Sequence, residues 1–211
     1  MIKATKLFNQ WVDSGKDDGM ILNHGPSVDF MLKLIPNDIL EKPFSFIDIG
    51  CGNGWVVKKV SKYKKCSYAC GLDGAEKMIN KARLNDTQSK YLEIDINNLD
   101  DLTLSKEASL GPFDIIFSME VLYYLKSPKK TLEYIQSKLL KKGGCCIIGI
   151  DHYLENTTSL SWGEDLNVSM CTYSISEWKE LFVESGFCNI KTYQCGQKKD
   201  WKGTLIFYVE N

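Results

Sequence analysis

Residues 44–55 read Phe44-Ser45-Phe46-Ile47-Asp48-Ile49-Gly50-Cys51-Gly52-Asn53-Gly54-Trp55. The first six form a short apolar run with the pattern of a buried strand. Three glycines in five residues end it, and a helix is predicted from about Trp55 to Ser61. Glycine adopts left-handed backbone conformations and lets a ligand approach the main chain closely. The helix that follows offers unpaired amides and a positive dipole end, suited to a carboxylate or phosphate. The other reading of such a loop, taken alone, is a tight strand-to-helix turn.

Working outward, Cys66 to Leu72 is a second strand, followed by a helical stripe of Ala75, Met78, Ile79 and Ala82. Tyr91 to Ile94 and Phe113 to Ser118 are the third and fourth strands. Ser127-Pro128 is a helix start, with Leu132, Ile135 and Leu139 carrying the helix to Gly143-Gly144. The unbroken apolar run Cys145 to Ile150 is a fifth strand. Ser174-x-x-Glu177 is a capping box for a helix ending at Gly186. Residues 187–195 and 201–209 form a closing hairpin. Such alternation predicts an α/β fold: a Rossmann-like, seven-stranded, mostly parallel sheet with helices on both faces and a closing antiparallel hairpin.

Composition agrees with one globular domain. The 211 residues are 44% hydrophobic and 25% charged, which excludes a disordered or fibrous chain. Lys+Arg number 26 against Asp+Glu 27, a net charge of -1 without the signature of a polyanion binder. No apolar run is long enough to cross a bilayer, and Lys3 and Lys6 precede no apolar stretch, so neither a membrane span nor a signal peptide is expected. The eight cysteines include no Cys-x-x-Cys pair, and with two histidines there is no zinc spacing. They are read as reduced thiols of a cytoplasmic protein, with no metal.

Ligands of such sheets bind beyond the carboxyl ends of the strands, where the topology switches. Asp73 ends the second strand 19 residues after Gly54, where a carboxylate can accept two ribose hydroxyls. Asp95 ends the third strand, and Asp48 lies in the first. A dinucleotide loop follows G-x-G-x-x-G; here the pattern is G-x-G-x-G with Trp55 next. Together with Gly71-Leu72-Asp73, Asp95-Ile96 and Phe113-Asp114-Ile115-Ile116-Phe117-Ser118, the loop resembles that of class I S-adenosylmethionine-dependent methyltransferases, from about Phe44 to Val209. The resemblance implies S-adenosyl-L-methionine as cofactor and S-adenosyl-L-homocysteine as product. It implies that Gly50, Cys51, Gly52, Asn53 and Gly54 hold the methionine moiety above Asp48, and that Asp73 takes the ribose diol. Asp95 and the Ile96 amide would meet adenine, Leu72 and Ile96 would pack on its faces, and the Ser118 carbonyl would meet the amino group.

Methyl transfer asks a protein for alignment, exclusion of water and sometimes a base. After the fourth strand, Glu120, Tyr123 and Tyr124 either orient an amine or hydroxyl or merely pack. After the fifth come His152 and Tyr153, where a base would be useful. Trp162 and Met170 lie in residues 151–175, long enough to form a lid. Before the sheet, Asn23-His24-Gly25-Pro26 is expected to start a helix striped by Val28, Met31, Leu32 and Ile35. Residues 1–42 are thus a helical cover on a sheet core over 43–211, all one domain. His24, Glu120 and His152 are the candidate catalytic residues; Tyr123, Tyr124, Tyr153, Trp162 and Met170 are candidate substrate contacts. Ser118-Met119-Glu120-Val121 stands where base-methylating enzymes carry an Asn-Pro-Pro-Tyr-like tetrapeptide. A small-molecule acceptor is therefore expected, with no nucleic acid or membrane partner, in a monomer or homodimer. The competing expectations are methylation of a protein or nucleic acid, a non-catalytic cofactor-binding protein, and a nicotinamide oxidoreductase, against which Trp55 counts.

Overall fold

The computed structural model describes residues 1–99 and 110–210. Its elements in chain order are α1 (Ala4–Asp13), α2 (Met20–Lys33), α3 (Asn37–Leu40), β1 (Phe44–Ile49), α4 (Trp55–Val60), β2 (Cys66–Asp73), α5 (Glu76–Asn85) and β3 (Lys90–Glu93). There follow β4 (Phe113–Met119), α6 (Pro128–Tyr134), β5 (Leu140–Ile150), α7 (Trp162–Asp165), α8 (Ile175–Glu184), β6 (Cys188–Cys195) and β7 (Thr204–Glu210). One seven-stranded sheet runs β3-β2-β1-β4-β5-β7-β6. The first five strands are mutually parallel, and β7 is antiparallel to both its neighbours. The expected sheet and closing hairpin are therefore present.

Strand alternation divides the core between the two faces. Phe44, Phe46, Ile115, Phe117, Cys145 and Ile147 pack with Val28, Met31 and Leu32 of α2 and Val56, Val57 and Val60 of α4. Ile47, Ile49, Ile116, Cys146 and Ile148 face the other way, onto Leu132 of α6 and Trp178 and Phe182 of α8. The topology reverses between β1 and β4, so the loop after β1 sits at the switch point where ligands bind.

Three of the boundary differences from the sequence expectation have a physical reason in the structure. Pro26 lies inside α2, which begins six residues earlier at Met20. A 3-10 turn over Lys16–Gly19 leads straight into the helix. Leu22, whose carbonyl would pair with the N–H that proline lacks, is exposed, so water can take that place. α6 passes through one π turn, Ile135–Leu139, and stops before the two glycines. The chain joins the sheet at Leu140, opposite Phe113, and β5 is five residues longer than expected. Gly144 is then a strand residue whose Cβ would come within 2.7 Å of the Asp114 carbonyl oxygen. The Ser127 side chain caps nothing, whereas the Ser174–Glu177 capping box is formed as expected.

The hairpin is part of the core. Phe207 of β7 is fully buried and stacks on Phe182 of α8 with centroids 4.6 Å apart. Phe207→Ala should lower unfolding free energy by about 3–5 kcal/mol, read as a lower urea midpoint with an unchanged slope.

Candidate functional site

Beyond the carboxyl ends of the parallel strands lies a cavity of about 350 Å³, within the usual range for small-molecule sites. Its floor is the glycine loop. The Leu72 carbonyl accepts the N–H groups of Gly50 (2.7 Å) and Cys51 (2.9 Å). Gly52 donates its N–H to one Asp73 carboxylate oxygen at 2.9 Å, and Ala75 donates to the other at 2.8 Å. An ionised carboxylate has about four acceptor positions, so Asp73 keeps capacity for two more donors on the cavity side. Gly54 has φ +80°, and a Cβ there would lie 2.6 Å from the Tyr91 ring. Gly52 has φ +53° and faces the cavity under Met20.

Asp48, Gly50, Cys51, Gly52, Asp73, Asp95 and Ile96 all line this space. Asp48 is 3% exposed, and its Oδ1 has no partner among the described residues. Burial, then the Asp73 charge, raises its carboxyl well above the ordinary range. Burial also raises Asp73, against the Ala75 and Gly52 amides that favour its ionised form. Four expected cofactor contacts are not among the residues lining the cavity. Leu72 is fully buried in the core and acts through its carbonyl. Gly54 is enclosed by Tyr91 and Ala82. The Ser118 hydroxyl donates to the Ile49 carbonyl at 2.7 Å, tying β4 to β1. Asn53 turns toward Asp17, donating to its carboxylate at 3.0 Å.

That last contact belongs to the cover. Asp17 is fully buried and pairs with Lys81 at 2.7 Å, which also meets Asp18. Thr5, Phe8, Trp11, Lys16 and Met20 line the cavity, and the sequence expectation missed them. The signal was present: Ala4, Leu7, Phe8 and Trp11 follow i, i+3, i+4, i+7 spacing.

On the acceptor side, His24, Glu120, Tyr123, Tyr124 and Trp162 line the cavity, joined by Asp165 and Leu166. Three expected contacts do not. His152 is 2% exposed, with its ring nitrogens at 2.9 Å from the Ser159 carbonyl and 2.8 Å from the Thr172 hydroxyl. Both nitrogens are engaged, so it is not poised as a base; its ring packs between Tyr123 and Trp162. Tyr153 is buried and donates to the Gly203 carbonyl at 2.9 Å. Met170 packs against the core on the α8 face. His152 and Tyr153, just past the end of β5, thus face inward.

Residues 25–192 match the methyltransferase domain family. The chain belongs to that family. A ubiquinone biosynthesis O-methyltransferase of Coxiella burnetii is 31% identical over 113 residues, covering 54% of this chain and 46% of the relative. A Caenorhabditis elegans protein named "Probable tRNA (uracil-O(2)-)-methyltransferase" is 29% identical over 89 residues, 42% of this chain and 16% of that protein. The chain thus spans less than half the length of these relatives. Among solved structures, a chain from the complex of the Haloferax volcanii Trm112 methyltransferase activator with a methyltransferase superposes with TM-score 0.82 at 24% identity, covering 99% and 97% of the two chains. The N-methyltransferase NodS of Bradyrhizobium japonicum, solved with S-adenosyl-L-homocysteine, gives 0.63 at 21% identity, covering 87% and 84%.

The residues present fit the family's cofactor, S-adenosylmethionine. An orphaned buried carboxylate oxygen on Asp48, spare acceptor positions on Asp73 and a loop whose Gly52 leaves the backbone open to the cavity are the features that ligand requires. Among the described residues no cluster has metal-ligand spacing, and no helix is long and apolar enough to cross a membrane. None of the eight cysteines, all among the described residues, forms a disulfide.

Burial pushes the Asp151 carboxyl up from 3.8 to about 6. The folded state therefore holds a proton that the unfolded chain has released. The stability linked to it is full below about 3.8 and is lost as pH rises toward 6, on the order of 3 kcal/mol in all. Melting temperature measured from about pH 4 to about pH 7 should fall in the wild type relative to Asp151→Asn; parallel profiles would contradict the assignment.

Proposed function

We propose that this protein transfers a methyl group from S-adenosylmethionine to a small molecule held in the aromatic half of the cavity. The observation that carries the proposal is the Asp73 carboxylate, fixed by Gly52 and Ala75 amides with acceptor positions to spare. Asp73 would take the ribose hydroxyls, Asp95 and Ile96 the adenine, and Gly50 to Gly52 with Asp48 the aminoacyl end. When bound, the cofactor supplies a methyl group on a sulfonium that is already a good leaving group.

The rest of the work falls to positioning. Helices α1 and α2 bring Phe8, Trp11 and His24 over the strand ends, and residues 151–175 bring Trp162 and Leu166. The two covers touch: the Ile2 N–H donates to the Asn167 carbonyl at 2.8 Å. Closing over the acceptor excludes water and holds it in line with the methyl group. Enclosure of this kind suits a small acceptor. The competing reading, a protein or nucleic-acid acceptor, draws on the name of the C. elegans protein. Incubation with a radiolabelled methyl donor and a metabolite extract, RNA or protein separates the two. Label in the small-molecule fraction is expected; label in RNA or protein alone would overturn the small-molecule part.

Two substitutions test the cofactor site by calorimetric titration with S-adenosylhomocysteine. Asp73→Ala should weaken binding by roughly 1.5–3 kcal/mol, since two hydrogen bonds to one carboxylate are lost together. Gly52→Val should abolish binding while circular dichroism stays native, because a branched side chain fills the approach to the backbone. Wild-type affinity in either variant would place the cofactor elsewhere.

A further inference from the structure

Beyond the residues matched to the cofactor, the remaining cavity wall is aromatic with an acid set into it. Phe8, Trp11, Tyr123, Tyr124 and Trp162 supply the rings. Phe8 meets Trp11 and Tyr124 edge-on at 5.2 and 5.3 Å, and Tyr123 and Tyr124 lie 4.5 Å apart. Glu120 follows β4 with φ +62°, a left-handed conformation that a side chain with a Cβ rarely adopts. Its N–H is held by the Gly149 carbonyl at 3.0 Å. The Tyr123 hydroxyl donates to Oε2 at 2.6 Å, and Oε1 has no partner among the described residues. Behind it Asp151, 5% exposed, also carries an unpartnered oxygen, Oδ1.

The basic residues among the described lining do not neutralise this acid. Lys16 stands at the exposed rim with Nζ 4.2 Å from the centroid of the Trp11 ring, so an ammonium already rests on this wall. His24 approaches Asp151 at 3.8 Å, and burial favours its neutral form. An anionic acceptor would meet carboxylates in a low-dielectric pocket. An uncharged one would leave the Glu120 carboxylate without a counter-charge in that pocket. A protonated amine answers both.

Resting on the methyltransferase proposal above, we propose that the acceptor is a small organic amine with an aromatic or similarly flat apolar body, its ammonium seated on Glu120 among the rings of Phe8, Trp11 and Tyr124. The chemistry then balances. The ammonium gives one N–H proton to the Glu120 carboxylate, which frees the nitrogen lone pair. The N–C bond forms as the C–S bond breaks, and that electron pair stays on sulfur. The methylated amine leaves carrying the positive charge, and Glu120 returns its proton to water. Burial, then the nearby Asp151 charge, raises the Glu120 carboxyl, and an ammonium seated against it favours the ionised form that accepts the proton.

Three probes of one shape test this: 2-phenylethylamine, 2-phenylethanol and phenylacetate, titrated into the protein saturated with S-adenosylhomocysteine. The amine should bind at least tenfold more tightly than the alcohol, and phenylacetate should not bind. Glu120→Gln should remove the preference for the amine while S-adenosylhomocysteine affinity stays within about twofold. The alcohol or acid binding as tightly as the amine, no binding by any probe, or a charge preference that survives in Glu120→Gln would each overturn the proposal. Saturation by S-adenosylhomocysteine is established first. Its failure would count against the methyltransferase proposal itself, whereas cofactor binding without amine selectivity would sink only the acceptor class.

Discussion

One carboxylate holds this site together. Asp73 accepts from Gly52 on one side and Ala75 on the other, joining the end of β2, the loop after β1 and the entry to α5. An acid is costly to bury, and the two amides offset part of that cost while fixing its direction. The loop has little freedom left: its first two amides are held by Leu72, and Gly54 is packed under Tyr91. Backbone and carboxylate thus face the cavity already in place, so a ligand loses little entropy in organising them.

The cover is tied to the same loop. Asp17 is buried between Asn53 and Lys81, so the turn before α2 is fastened to the glycine loop and to α5 at once. Lys77 pairs with Asp13 at 2.5 Å, a second link from α5 to the end of α1. These links put Trp11, Lys16 and Met20 over the cavity, and the Ile2–Asn167 bond joins that cover to the segment after β5. The latches that hold this cover are partly ionic. Those latches weaken with salt where they are exposed.

Much of this architecture was legible in the sequence. The apolar run before three glycines, the stripe of Met78, Ile79 and Ala82, and the Ser174 capping box report local chemistry that the fold keeps. What escaped the sequence depends on distant partners. Pro26 is tolerated within α2 because Leu22 faces water, and β5 starts at Leu140 because Phe113 is waiting beside it. His152 stands where a base would be useful, yet Ser159 and Thr172 draw it inward. Position after a strand indicates closeness to the site, not the direction a side chain takes. Glu120 reaches the cavity through a left-handed backbone that no pattern of residue types announces.

The two ends of the cavity divide the chemistry. The glycine-loop end offers amides and carboxylates to a polar ligand, and the far end offers ring faces around Glu120. A crystal structure with S-adenosylhomocysteine tests the central claim most directly. The account predicts both ribose hydroxyls within hydrogen-bonding distance of the Asp73 carboxylate, adenine against Ile96 and the sulfur facing Glu120. A ligand seated away from the glycine loop, or a ribose that Asp73 does not touch, would contradict it.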